Sequence, residues 1–146
     1  ARHYPMPLPV FARSKRERAL LHNQEPVHNI LELAKDADVT FVGVGNMGES
    51  APLFVDGFIT EGELKSVQQA GAAGELCGYI FDSDGQYLDH PVNDFMVGCR
   101  VPVNDNPVMC IGGGVSKIKA LRAALKGNLI DELITDELTA AELISS

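Results

Sequence analysis

The chain contains no tryptophan, three cysteines and only 6% aromatic residues. Cys77, Cys99 and Cys110 are widely spaced and include no C-x-x-C pair. That spacing argues against the common zinc and dithiol-redox signatures. It predicts three small, buried, apolar residues in a reducing cytoplasm. No apolar run approaches the about 20 residues that a helical membrane span requires. Arg2 and His3 are not followed by an apolar stretch, so no secretory leader is expected. Cations are scarce as well: 12 Lys and Arg stand against 20 Asp and Glu, a formal net charge of −8. A nucleic-acid surface needs clustered cations to displace counterions from phosphates. The one basic cluster, Arg13, Lys15, Arg16 and Arg18, is interleaved with Glu17, Ala19, Leu20 and Leu21. It reads as the solvated face of a short helix, so this chain is not expected to contact DNA itself.

What is present suits a globular domain or a large piece of one: 146 residues, 45% hydrophobic and 22% charged. Residues 4–11 alternate proline with apolar side chains and read as an edge strand or extended lead-in. Ser14 and Glu17 form a capping box for a helix running to His22. A second helix follows Pro26, with Val27, Ile30, Leu31 and Ala34 on one face. Residues 37–44 are short, β-branched and apolar, the pattern of a buried parallel strand. Thr60 and Glu63 start a helix over residues 60–71. The sequence Asp82-Ser-Asp-Gly85 lies between two apolar stretches and predicts a hairpin. Strands are expected at residues 95–101, 108–111 and 129–135, and helices at 115–126 and 137–143. Gly127-Asn128 is a helix stop. This alternation predicts an α/β fold: three layers, Rossmann-like, built on a mainly parallel sheet with a small β-hairpin insertion. In such sheets ligands sit at the carboxyl ends of the strands.

Two glycine clusters fall there. Gly43-Val-Gly-Asn-Met-Gly48 matches G-x-G-x-x-G. A dinucleotide site would need a helix opening on the third glycine. Pro52 and Gly57 argue against a long helix there, and no acidic residue is placed to hold a ribose. The segment reads instead as a tight strand exit, either structural or open to a ligand through Gly43, Gly45 and Asn46. The second cluster is Ile111-Gly-Gly-Gly-Val-Ser-Lys117, which lacks the G-K-[ST] ending of a Walker loop. Free amides around Gly113 and Gly114, at a helix N-terminus, favour an anion. Lys117 in that first turn opposes the helix dipole, so it either meets a phosphate or points to solvent. Glu75 lies among small apolar residues, as a sugar-hydroxyl acceptor or an exposed loop carboxylate. Asp89, His90 and Asp94 are either a polar turn or an acid–base set.

These segments, in this order, resemble the SorC family of transcriptional regulators. The resemblance rests on residues 37–48 and Gly57-Phe-Ile-Thr-Glu-Gly-Glu-Leu64. It continues through Gly71-Ala-Ala-Gly-Glu-Leu-Cys-Gly78 and Phe81-Asp-Ser-Asp-Gly85 into Asp89-His-Pro-Val-Asn-Asp94. It ends with Gly113-Gly-Val-Ser-Lys-Ile-Lys-Ala120 and residues 129–140. The resemblance implies a sugar-phosphate isomerase and deaminase-like fold that senses a phosphorylated sugar without turnover and without a cofactor or metal. It implies that the chain is the C-terminal part of a single effector-binding domain. DNA would be bound through a helix-turn-helix outside this chain, in a homodimer or homotetramer. By the same resemblance Lys117, with Gly113 and Gly114, would meet the effector phosphate. Glu75 would take sugar hydroxyls, and Gly43, Gly45 and Asn46 would line the pocket. The alternatives are an isomerase- or deaminase-type enzyme using Asp89, His90 or Asp94, a dinucleotide-binding domain, and a domain that only holds an oligomer together.

Overall fold

A computed structural model describes residues 2–145. Helix α1 (Lys15–His22) starts at Ser14, whose hydroxyl accepts the Glu17 N–H at 3.1 Å. The Glu17 carboxylate reaches one residue further back than a capping box requires, to the Arg13 N–H at 2.5 Å. The basic cluster departs from a solvated face at Arg18, which is half-buried and donates to the Met96 carbonyl. Helix α2 (Glu25–Lys35) opens on Pro26 and buries Val27.

The chain then enters strand β1 (Thr40–Val42), breaks at Gly43, and continues as β2 (Val44–Asn46). The break moves it from one sheet to another. β1 pairs in parallel with β5 (Val108–Ile111), and β5 in parallel with β6 (Glu132–Ile134). β2 pairs antiparallel with β3 (Ala72–Leu76), which pairs antiparallel with β4 (Tyr79–Asp82). The α/β fold with a parallel sheet is therefore as expected, and the hairpin turn at Asp82–Gly85 is present, closed by Gly85 N–H to the Asp82 carbonyl at 3.1 Å. The hairpin is not an isolated insertion, however, because β2 and β3 extend it into a second three-stranded sheet.

Residues 95–101 are not a strand. Pro91, following His90, starts a short helix, α5 (Pro91–Phe95), with the His90 Nδ1 accepting the Val92 N–H at 3.2 Å. Beyond it Met96 and Val97 pair with the proline-rich lead-in, through a single bridge to Phe11 and the bond from Val97 N–H to the Val10 carbonyl. The cysteines divide: Cys110 is buried, Cys99 half-buried and Cys77 exposed. Cys77 (φ 50) and Gly78 (φ 84) form the two-residue β3–β4 turn, whose geometry demands positive φ at both positions.

Helix α6 (Ile118–Lys126) follows a 3-10 turn at Val115–Lys117. It lays Ala120, Leu121, Ala123 and Ala124 against both sheets, contributing to a core with Val42, Val44, Leu76, Phe81, Val108 and Cys110. Its approach to β3 is close because Gly74 has no side chain. A Cβ there would stand 2.5 Å from the Ala120 Cβ and 2.7 Å from the Phe81 ring. A second core lies under α4 (Glu61–Gln69), which carries a complete Thr60–Glu63 capping box. Short helix α3 (Pro52–Val55) packs Leu53 into it. Helix α7 (Glu137–Ile144) is capped by Asp136. Among the described residues no helix is long and apolar enough to cross a membrane.

Overpacking a tight core contact typically costs about 1–3 kcal/mol. Gly74→Val should therefore lower stability by roughly that amount in urea unfolding. An unchanged unfolding midpoint would mean that α6 does not need this bare backbone.

Candidate functional site

The carboxyl ends of the parallel strands lead into Gly43 after β1, Gly112 after β5 and Thr135 after β6. The second sheet meets this edge from the side. In the β2–β3 ladder Gly45 lies directly opposite Glu75. The glycine leaves room for that side chain: a Cβ on Gly45 would fall 2.1 Å from Glu75 Oε1 and would displace the carboxylate. The Glu75 carboxylate thus lies folded over bare β2 backbone. Its other oxygen, Oε2, accepts the Gly78 N–H at 2.6 Å.

Lys117 arrives from the opposite direction, at the junction of the 3-10 turn and α6. Its Nζ lies 4.0 Å from where a Cβ of Gly112 would stand, with Val44 equally close to that point. The ammonium therefore lies back over the second glycine cluster toward β2. Burial pushes the Glu75 carboxyl above the usual carboxylate range, against the lowering effects of the Gly78 hydrogen bond and the Lys117 charge. The acid is half-removed from water, and Lys117 is the smallest of the influences on it; among the described residues no ion pair joins the two side chains.

The other expected residues fall around these two side chains unevenly. Asn46 folds its side chain onto the Gly48 N–H at 3.0 Å. It faces a cavity of about 470 Å3 that Ser50, Gln68, Ser116 and Lys119 also line. Gly43 is unobstructed: a Cβ there would meet nothing within 4 Å. Gly113 and Gly114 turn the other way. A Cβ on Gly113 would meet Asp136 Oδ2 at 2.1 Å, and the Gly114 N–H donates to Thr139 Oγ1 at 2.8 Å. The Gly114 amide is thus committed to α7 rather than free for an anion. Ser116 and Lys119 were not anticipated from sequence. The usable signal for Lys119 was the repeat of lysine two positions after Lys117, both in the opening turns of one helix. Lys119 Nζ donates to the Ala72 carbonyl at 3.3 Å, so it bridges α6 and β3 beside the cavity.

The two rival motifs do not assemble. Helix α3 begins at Pro52, four residues long, so no helix opens on Gly48 as a pyrophosphate site requires. Asp94 is paired with Lys15 at 2.7 Å, whereas His90 caps α5 and places its Nε2 3.0 Å from Ser66 Oγ. Among the described residues no group of three or more His, Cys, Asp and Glu is arranged to hold a metal.

The Glu75 geometry has a consequence for stability. An acid whose folded pKa is raised above its unfolded value weakens the fold as pH rises through that interval. Glu75→Gln should then raise the thermal midpoint near neutral pH, and the gain should vanish toward about pH 4, where the native carboxyl is protonated. Equal midpoints for both proteins near neutral pH would mean that the carboxylate is not desolvated.

Comparison with known proteins agrees with this architecture. The Sugar-bind family of sugar-binding domains matches residues 1–145. The erythritol catabolism regulatory protein EryD of Brucella abortus is 34% identical over 142 residues, covering 97% of this chain and 45% of that protein. The transcriptional regulator LsrR of Escherichia coli O9:H4 is 32% identical over 146 residues, with 97% and 46% covered. The chain thus spans less than half the length of these relatives. Among solved structures, a DeoR family transcriptional regulator from Listeria monocytogenes superposes with a TM-score of 0.90 at 21% identity, covering 94% of this chain and 57% of that one. The full-length sorbitol operon regulator SorC from Klebsiella pneumoniae gives 0.86 at 20% identity, with 93% and 45% covered. A domain of a sugar-binding transcriptional regulator from Arthrobacter aurescens gives 0.82 at 26% identity, with 97% and 55% covered. A match along nearly the whole chain settles the family: this chain belongs to the Sugar-bind family of sugar-binding domains.

Proposed function

We propose that the chain senses a phosphorylated sugar and that its occupancy controls DNA binding elsewhere in the same regulator. The Lys117 ammonium lying over Gly112, with the half-buried Glu75 carboxylate on the neighbouring ladder, supports this reading. The ammonium supplies a charge-assisted contact for a phosphate, beside the opening amides of the Val115–Lys117 turn. The carboxylate supplies an acceptor for neighbouring hydroxyls, Gly43 leaves open backbone beside it, and Asn46 faces the adjoining cavity of Ser116 and Lys119. Gly113 and Gly114 then serve by shaping the turn against Asp136 and Thr139 rather than by donating.

The chain is then the C-terminal part of one effector-binding domain. The uncovered face of the parallel sheet supports this. Phe41 is 60% exposed, and Ile111 and Ile134 are each 53% exposed, while Val42, Val108 and Cys110 on the opposite face are buried. Parallel sheets are covered on both faces. The solved Arthrobacter domain is half as long again or more, this chain covering 55% of it. The remainder of the polypeptide would cover this face and complete the pocket. DNA contact would come from a helix-turn-helix outside this chain, in the bacterial cytoplasm. Val115, Leu138 and Ile144, all more than four-fifths exposed, support a subunit contact in a homodimer or homotetramer. Effector binding would act by population shift, favouring whichever subunit arrangement binds it more tightly.

Calorimetric titration of the intact protein with a panel of phosphorylated and unphosphorylated sugars tests this. One phosphosugar should bind tightly and remain unconverted. Lys117→Ala should weaken it roughly ten- to a hundredfold, the usual loss for a hydrogen bond to a charged group. Preference for an unphosphorylated sugar, or undiminished binding by the variant, would refute the assignment.

A further inference from the structure

A second polar cleft, none of whose lining residues belongs to either glycine cluster, lies between α1, α2 and the irregular stretch at residues 98–103. It encloses about 540 Å3, and its lining includes Arg18, His22, His28, Lys35, Tyr79 and Arg100. In a chain of net charge −8 this is an unusual gathering of cationic and imidazole side chains.

The cleft is built on Tyr79, whose side chain is among the most deeply buried in the protein. Its hydroxyl donates to the Gly98 carbonyl at 2.8 Å. The neighbouring Tyr87 hydroxyl donates to the Val101 carbonyl at 2.5 Å. Backbone contacts therefore fix both rings. The Arg100 guanidinium lies over them, 5.1 Å from the Tyr79 centroid and 5.3 Å from that of Tyr87. Arg18 comes to the same tyrosine from α1: its Nε donates to the Met96 carbonyl at 2.5 Å and its Nη2 to the Tyr79 hydroxyl at 3.3 Å. Two guanidinium groups thus meet on one buried ring.

Neither has an acidic partner among the described residues. The one carboxylate lining the cleft, Glu32, is 2.7 Å from Lys35 Nζ and is neutralised by it. His22 cannot supply a negative charge and holds its Nε2 2.7 Å from the Val97 carbonyl, where that nitrogen must carry the proton. Like charges gathered in a partly desolvated cleft repel. A dianion between them would remove that cost and use the in-plane donors that the stacked Arg100 still offers.

We propose that this cleft is a second anion site, distinct from the pocket of Glu75 and Lys117, that takes the phosphate group of a small molecule. Arg100 is the principal contact, held ready by the two tyrosines, and Arg18 is the second positive charge.

The test is calorimetric titration of the intact protein with inorganic phosphate at constant ionic strength, in a Lys117→Ala background that disables the first pocket. Acetate serves as the monoanion control. Saturable phosphate binding should persist in Lys117→Ala, exceed that of acetate, and fall about tenfold or more when Arg100→Gln is added. Arg100 is exposed, and an unchanged thermal midpoint of Arg100→Gln checks that the tyrosines it covers remain packed. Loss of all phosphate binding in Lys117→Ala alone, equal binding of acetate, or undiminished binding in the double variant would each overturn the proposal. The first of these outcomes would place phosphate at Lys117 and so support the sugar-phosphate reading while overturning this one; the other two leave that reading untouched.

Discussion

The close approach of α6 to β3 at Gly74 organises the rest of the molecule. A side chain at that position would collide with Ala120 and Phe81, so only glycine lets the helix settle onto the strand. With the helix that near, one row of small and apolar residues on α6 can close the core beneath both sheets at once. The same approach carries the N-terminal turns of α6 to the β2–β3 ladder. Lys117 and Lys119 arrive there as a result, the first acting on Glu75 and the second tied to the Ala72 carbonyl. The packing contact and the placement of both lysines are two consequences of one missing methyl group.

A second glycine makes the acid usable. The chain leaves the parallel sheet at Gly43 and continues almost at once in the antiparallel one. Gly45 then leaves room for the Glu75 carboxylate to fold across the strand, instead of pointing to bulk water. Burial raises its proton affinity, while the Gly78 amide and Lys117 oppose that effect. A bound ligand's hydroxyls can offset the same desolvation by donating to the carboxylate. The cost of holding such an acid at the sheet edge is therefore tied to the chemistry it is placed to perform.

Much of this architecture could be read from residues alone, and the exceptions have physical causes. Helices announced themselves through Ser14, Thr60 and the Gly127-Asn128 stop, because caps satisfy backbone groups by local chemistry. The strands of the parallel sheet showed as short apolar runs. β3 was invisible as a strand, since Ala72-Ala-Gly-Glu-Leu has low intrinsic β preference and is held by partners on both sides. Residues 95–101 erred in the other direction: their apolar pattern suggested a strand, but the Pro91 helix start and the lead-in pairing decided otherwise. At the site, Lys117 and Glu75 could be named because each stood out against its local setting. Their placement in space could not, because it depends on a tertiary contact at Gly74. The loss of the Gly114 amide to Thr139 was hidden for the same reason.

The most direct test is a crystal structure of the intact protein with its phosphosugar bound. The phosphate should lie within hydrogen-bond distance of Lys117 Nζ, with sugar hydroxyls on the Glu75 carboxylate and the ring against Gly45. A ligand seated away from both side chains, or a phosphate turned from α6 with Lys117 in solvent, would contradict the effector pocket proposed for this sheet edge.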